Sequence, residues 1–147
     1  MSNTEKRVIY FAYGHNTNIP EFKHRVPDAK RIGRAVAPNY KLEINHYTNI
    51  LPKDGAKTYG MLWAISDEGL KKLDYFEGDG KDYTHTFIEV LYKGKLYKAL
   101  TYSMVKSRGD INRPPSEKYI KHVYDGYKMN QIPADQLSTA LRNHSQN

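Results

Sequence analysis

The sequence contains no cysteine. That absence removes disulfides, thiolate metal sites and a cysteine nucleophile together, so any catalysis has to use oxygen or nitrogen groups. No apolar run approaches the roughly 20 residues of a membrane helix, and Met1 to Arg7 is polar with no stretch of signal-peptide length behind it. The expectation is a soluble, cytoplasmic protein. Glycine and proline are sparse, 10 and 7 in 147 residues, and no internal repeat or low-complexity tract is present, which excludes collagen-like and mostly disordered chains. With 39% hydrophobic residues and a length typical of one domain, the chain reads as a single globular unit over residues 1–147, with 144–147 frayed. Lys and Arg number 23 against 16 Asp and Glu, and the resulting +7 attracts nucleic acid, an acidic surface or an anionic small molecule without choosing among them.

The pattern along the chain alternates strand and helix signals. Residues 7–13 form a short apolar, β-prone run that ends at Gly14, His15 and Asn16, as a buried strand entering a turn does. Pro20 and Pro27 bracket a short helix. Strands are expected from about Gly33 to Asn45 and from Lys57 to Ile65, the second placing Tyr59, Met61, Trp63 and Ile65 on one face. Ser66 can cap a short helix with Leu70 and Leu73 inward and with Lys71 and Lys72 favouring its C-terminal end. Thr84 to Met104 reads as an antiparallel hairpin turning at Lys93 and Gly94. Tyr119, Ile120, Val123, Tyr124 and Tyr127 recur with helical period over 117–129, and a last helix is expected over Ala134–Arg142. Hairpins mixed with helices suggest the α+β class.

Residue types alone raise three chemistries. Asp74, Glu77, Asp79 and Asp82 crowd one acidic stretch whose oxygens suit Mg²⁺ or Ca²⁺, but Lys81 and Asp82 stand where a calcium loop needs a ligand and a glycine, so a solvated loop is the better reading. His15, His24, His46, His85, His122 and His144 have no paired spacing for zinc, and no metal ligand set is assigned. Lys93, Lys95, Lys98, Lys106, Arg108 and Arg113 lie near Tyr92, Tyr97 and Tyr102, a mixture able to track phosphates and stack bases. No nucleic-acid motif accompanies it, and such a hairpin is more often a solvated face.

A family resemblance joins the remaining motifs. Tyr10-Phe-Ala-Tyr-Gly-His-Asn16 resembles the Tyr-Gly-Ser-Asn loop of the γ-glutamylcyclotransferase-like family. Tyr59-Gly-Met-Leu-Trp63 resembles its strand leading into a short helix, and Leu73-Asp-Tyr-Phe-Glu-Gly78 its Leu-Asp-x-x-Glu-Gly segment. Tyr83, Tyr102 and Pro114-Pro-Ser-Glu-Lys-Tyr119 match the family's following tyrosine, its later strand-end tyrosine and its Pro-Ser-x-x-Tyr helix start, so the likeness spans roughly residues 8–133. It implies a small antiparallel barrel-like sheet with peripheral helices.

The resemblance also implies a reaction: release of 5-oxoproline from a γ-glutamyl compound by attack of the substrate's own α-amine, with no metal or cofactor. Glu77 takes both proton roles by this likeness, a task suited to a carboxylate whose pKa burial has raised, and Tyr75 and Phe76 are expected to provide the apolar surround. Gly14 is expected at positive φ, with Gly14, His15 and Asn16 forming an anion-binding turn behind Tyr13. Tyr102 is expected to donate a hydrogen bond to the glutamyl moiety and Tyr83 to line the pocket. His15 replaces the family's small Ser, where it can narrow the pocket, add a cation or turn outward. The other functional reading is a binder that uses the same pocket to hold an anionic metabolite or nucleotide without turnover. Residues 46–57 and 105–113 are expected to shape the amine half of the site, and the oligomeric state is open.

Overall fold

Both faces of the apolar segment at residues 7–13 are covered, and the architecture follows from that. The computed structural model describes residues 7–77, 83–104 and 114–145. Strand β1 (Arg7–Ala12) pairs antiparallel with the end of β3 (Tyr47–Ser66), which pairs on its other side with β2 (Lys30–Asn45). β2 meets β4 (Tyr83–Tyr92), and β4 runs back into β5 (Lys95–Met104). β5 reaches β1 at Leu100 and Tyr10, closing a barrel in the order β1-β3-β2-β4-β5. That closing contact is parallel and the other pairings are antiparallel, so the expected α+β barrel is present with one parallel seam.

Alternation along the strands sends side chains to two cores. Phe11, Leu62, Ile88, Val90 and Ala99 belong to one, completed by Val123 and Tyr127 of α3 (Glu117–Met129) and Leu137 and Ala140 of α4 (Ala134–Ser145). Tyr10, Ala12, Met61, Trp63, Ile65, Leu100 and Tyr102 belong to the other, covered by Phe22 of α1 (Ile19–Arg25), Val26 just after it, and Leu73 of α2 (Asp67–Glu77). A 3₁₀ turn, His15–Thr17, joins β1 to α1. No helix of the described residues is long and apolar enough to cross a membrane.

Several elements differ from the pattern read along the chain. β2 and β3 form one long hairpin reversing at His46, whose φ is 68°. Pro52 to Gly55 signal a loop, but β3 continues through them, with register partners jumping from Pro38↔Lys57 to Tyr40↔Pro52 and Asn39 Oδ1 accepting from Gly55 N at 3.0 Å. Tyr59, Met61, Trp63 and Ile65 stay two apart on an unbroken strand, but Tyr59 packs against the first core and the other three on the second. Helix α2 runs to Glu77, which leaves Lys71 and Lys72 in its middle and no base in its last turn. Ser66 does cap it, accepting from Gly69 N at 3.1 Å. The hairpin turn at Lys93 and Gly94 forms as expected, both residues having positive φ. α4 extends through Ser145, past the expected end at Arg142.

Candidate active site

A cavity of about 510 Å³ opens where the 3₁₀ turn, α1, the end of α2 and the start of α3 meet the barrel. Tyr13, Gly14, His15, Asn16, Glu77, Tyr83 and Tyr102 all line it, so the residues singled out from the sequence are brought to one place. Arg25, Tyr10, Thr48, Tyr119 and His122 line it as well.

Glu77 arrives there by helix geometry. Residues four apart share a helix face, so the face that buries Leu73 in the second core carries Glu77 to the cavity. Burial pushes its carboxyl up to about 7, opposed by the Arg25 charge and by a hydrogen bond from Asn16. The apolar surround is not its sequence neighbours: Tyr75 is 83% exposed, and Phe76, although it lines the cavity, is 51% exposed. The enclosing wall is made of tyrosines. Burial first, and the Glu77 charge among smaller causes, hold the Tyr10, Tyr13, Tyr83, Tyr102 and Tyr119 hydroxyls above their usual range, so these rings stay neutral around one carboxyl group.

The turn is held by contacts, and its glycine does not take the conformation expected. Gly14 has φ −134°, not the positive value expected, and glycine is required for space: a Cβ would stand 2.0 Å from Thr48 Oγ1. Thr48 also accepts on its carbonyl from the Tyr83 hydroxyl at 2.8 Å and donates its amide to Tyr119 Oη at 3.0 Å. Arg25 fixes the other side, donating to Asn16 Oδ1 at 2.9 Å and to His15 Nδ1 at 3.1 Å while lying over the Phe76 ring. With Oδ1 taken, Asn16 turns its NH₂ to Tyr10 Oη at 3.0 Å. Arg25→Gln removes a charge that lowers the Glu77 pKa and unsettles the Asn16 amide that also lowers it. The expected outcome is a Glu77 midpoint moved above about 7, read by a carbon NMR titration of the carboxyl.

His15 lines the cavity, and its surroundings disfavour the charged ring. Its half-buried ring lies between Tyr119 and His122, and burial, then Arg25 and His122, push its pKa down to about 4. The fold also assembles what chain spacing did not reveal: one ligand atom each of His15, Glu21 and His122 lie within 4.8 Å of one another. Arg25 can only donate, however, so His15 Nδ1 accepts and the ring hydrogen sits on Nε2. That Nε2 is buried with no hydrogen-bond partner among the described residues, 3.7 Å from Glu21 Oε1. A metal needs its lone pair, hence the tautomer that turns a hydrogen toward Arg25, so the trio is not a preformed cation site. In the acidic stretch Asp74 is engaged elsewhere, while Asp79 and Asp82 lie outside the described residues.

The tyrosine hydroxyls are oriented by the protein. Tyr13 donates to the Tyr102 carbonyl, Tyr83 to Thr48, and Tyr102 to Asp74 Oδ1, so Tyr102 does not hold its hydrogen for a ligand as expected. Its burial also removes it from any base-stacking surface on the β4–β5 hairpin. Lys106, Arg108 and Arg113 lie outside the described residues.

The family described as gamma-glutamyl cyclotransferase, AIG2-like, matches residues 10–121, a span that holds every cavity residue named here except His122. The chain belongs to this family. A solved structure described as a gamma-glutamyl cyclotransferase superposes with TM-score 0.79 at 23% identity, covering 92% of this chain and 86% of that one. An uncharacterised protein from Homo sapiens gives 0.80 at 24%, over 92% and 87%. YkqA from Bacillus subtilis gives 0.79 at 23%, over 95% of this chain and 55% of its own. These likenesses are of fold. Among curated proteins none matches the chain. Within the AIG2-like gamma-glutamyl cyclotransferase frame, Glu21, Arg25 and Lys118 are cavity residues that sequence reasoning missed, and Thr48 was covered only by the expectation for residues 46–57 as a whole. The only signal for Arg25 was its position two turns along α1 from the loop it clamps.

Proposed function

We propose that this protein is a cyclotransferase releasing 5-oxoproline and a free amine from a γ-glutamyl compound. The observation that carries this reading is the Glu77 carboxyl, held near pKa 7 by burial in the same cavity as the Gly14–Asn16 turn. A carboxylate poised there takes a proton from the substrate's α-ammonium at neutral pH. The amine nitrogen then forms a bond to the γ-carbonyl carbon, and the C–N bond to the departing amine breaks as Glu77 returns the proton to that nitrogen. The second proton of the ring nitrogen passes through Glu77 to the released amine, which leaves as an ammonium. Ring closure is intramolecular, so the protein's task is to hold the folded substrate conformer and the two proton positions. The reaction as drawn uses groups of the protein and the substrate alone.

Tyr13 and Tyr83 shape the pocket in this reading, and the Gly14, His15 and Asn16 turn takes the anionic end. Tyr47 and Thr48, from the segment expected to shape the amine half, reach the cavity, whereas 105–113 lie outside the described residues. The test is 5-oxoproline release, followed by mass spectrometry over a panel of γ-glutamyl amino acids and amines. Product that depends on Glu77 supports the enzyme. No product from any member, with a γ-glutamyl compound bound intact, supports a binder of anionic metabolites, a role that Arg25 and Lys118 at the cavity favour.

A further inference from the structure

The hydrogen-bond polarity of the tyrosine wall carries more than its shape. A tyrosine has one hydrogen to donate, and a carboxylate only accepts. The Tyr102 hydroxyl donates to Asp74 Oδ1, and the same oxygen is met from the other side by His85 Nδ1 at 3.2 Å. Tyr102 is therefore left with lone pairs for anything in the cavity. Tyr13 gives its hydrogen to the Tyr102 carbonyl and Tyr83 gives its own to the Thr48 carbonyl, so the hydroxyls of three cavity-lining residues have only lone pairs left to offer a ligand. Beside them stands the Glu77 carboxyl. A carboxylate placed against these three hydroxyls would meet oxygen lone pairs, whereas an ammonium group, with three donors and no acceptor, fits them; Tyr10, which accepts from Asn16, is the wall hydroxyl that keeps a hydrogen to donate.

We propose that Asp74 is a positioning residue that holds the Tyr102 hydroxyl as a hydrogen-bond acceptor for the α-ammonium of the ligand, so that the wall selects a cationic nitrogen and sets which end of the molecule faces Glu77. The proposal rests on the cyclotransferase reading for the identity of that ligand. Asp74 does not line the cavity and acts through Tyr102.

L-glutamate and glutarate are the probes, since they differ in the ammonium alone and neither undergoes the reaction. Calorimetric titrations of wild type, Asp74→Ala, Tyr102→Phe and the double variant separate the cases, with thermal melting as the check on folding. The expected result is glutamate binding weakened about ten-fold in each single variant, the scale of one hydrogen bond to a charged group, and no further loss in the double variant. Glutarate binding is expected to stay unchanged, and Asp74→Asn, whose amide oxygen still accepts from Tyr102, to restore glutamate affinity. Equal loss for both probes, additive losses, no rescue by Asn, or no preference for glutamate in wild type would each overturn the proposal. If the glutamate preference depends on Asp74 but no 5-oxoproline forms from any γ-glutamyl compound, the cyclotransferase reading falls and the ammonium site stands. If product forms and Asp74→Ala leaves KM unchanged, the ammonium site alone falls.

Discussion

Glu77→Gln is expected to abolish 5-oxoproline release and, in the same protein, to raise the stability of the fold at neutral and alkaline pH. The loss of turnover follows from the two proton transfers assigned to this side chain. Removing a positioned acid–base group lowers kcat by about 10²–10⁴-fold, and here one group is asked to act twice, so the upper end applies. The gain in stability follows from the same burial. The Glu77 pKa in the folded chain is about 7, raised from 4.5 by desolvation. Between these two values the folded state keeps a proton that the unfolded chain has released, so stability falls as pH rises through that window and stays reduced above it. The whole penalty amounts to no more than about 3 kcal/mol, less whatever water reaches a half-buried residue. Glutamine fills the same space without the charge and removes the slope. Denaturant titrations at pH 5 and pH 8 check it: the wild type is expected to be weaker at pH 8 by an amount that the variant does not show. The wild-type kcat/KM profile is expected to rise through about pH 7, where Glu77 becomes a base.

Gly126→Ala is expected to destabilise the protein although alanine is the better helix former. In an exposed helix the exchange gains about 1 kcal/mol. Gly126, however, is where α3 lies against the 3₁₀ turn, and a Cβ there would stand 2.2 Å from Thr17 Oγ1 and 2.7 Å from the Asn18 backbone nitrogen. The hydroxyl can rotate, but the backbone atom cannot move without shifting the turn. Bonds from Asn18 Nδ2 to the His122 carbonyl at 3.1 Å and from Asn130 Nδ2 to the Thr17 carbonyl at 2.7 Å depend on that close approach. Overpacking of this kind costs about 1–3 kcal/mol, and the displaced turn carries His15 and Asn16 with it. A lower denaturation midpoint at unchanged m-value, together with weaker binding of γ-glutamyl compounds, is the expected pair of observations.

The strand and helix order was legible because most elements announce themselves locally. The two-residue turn at Lys93 and Gly94 and the helical recurrence of Val123 and Tyr127 are patterns of neighbours, and each formed where expected. The long β2–β3 hairpin was not legible, since Pro52 to Gly55 signal a loop, residues 53–56 have no register partner on β2, and what meets them there is the Asn39 side chain bonded to Gly55 N. Motif order gathered the cavity residues, because Glu77 and the Gly14 turn lie on segments with recognisable flanks. Arg25 and Thr48 had no such flanks, and Asp74, although inside the Leu73–Gly78 motif, had no role assigned by it. Their importance lies in which atoms they meet: the Asn16 amide for Arg25, the Tyr119 and Tyr83 hydroxyls for Thr48, and the Tyr102 hydroxyl for Asp74. Those are tertiary relations between a short helix, the start of a strand and a helix interior, and one-dimensional spacing does not encode them.

Trp63 is the chain's sole tryptophan, fully buried, and its indole N–H donates to the carbonyl of Asn16 at 2.9 Å. The chromophore is thus wired to the turn proposed to receive the ligand. Excited at the long-wavelength edge, where the 13 tyrosines do not absorb, its emission reports on that one carbonyl without any label. Candidate γ-glutamyl compounds can therefore be ranked by fluorescence of the unmodified protein, and a compound that dims or brightens Trp63 and then lets it recover as product leaves would reveal turnover in a single optical trace.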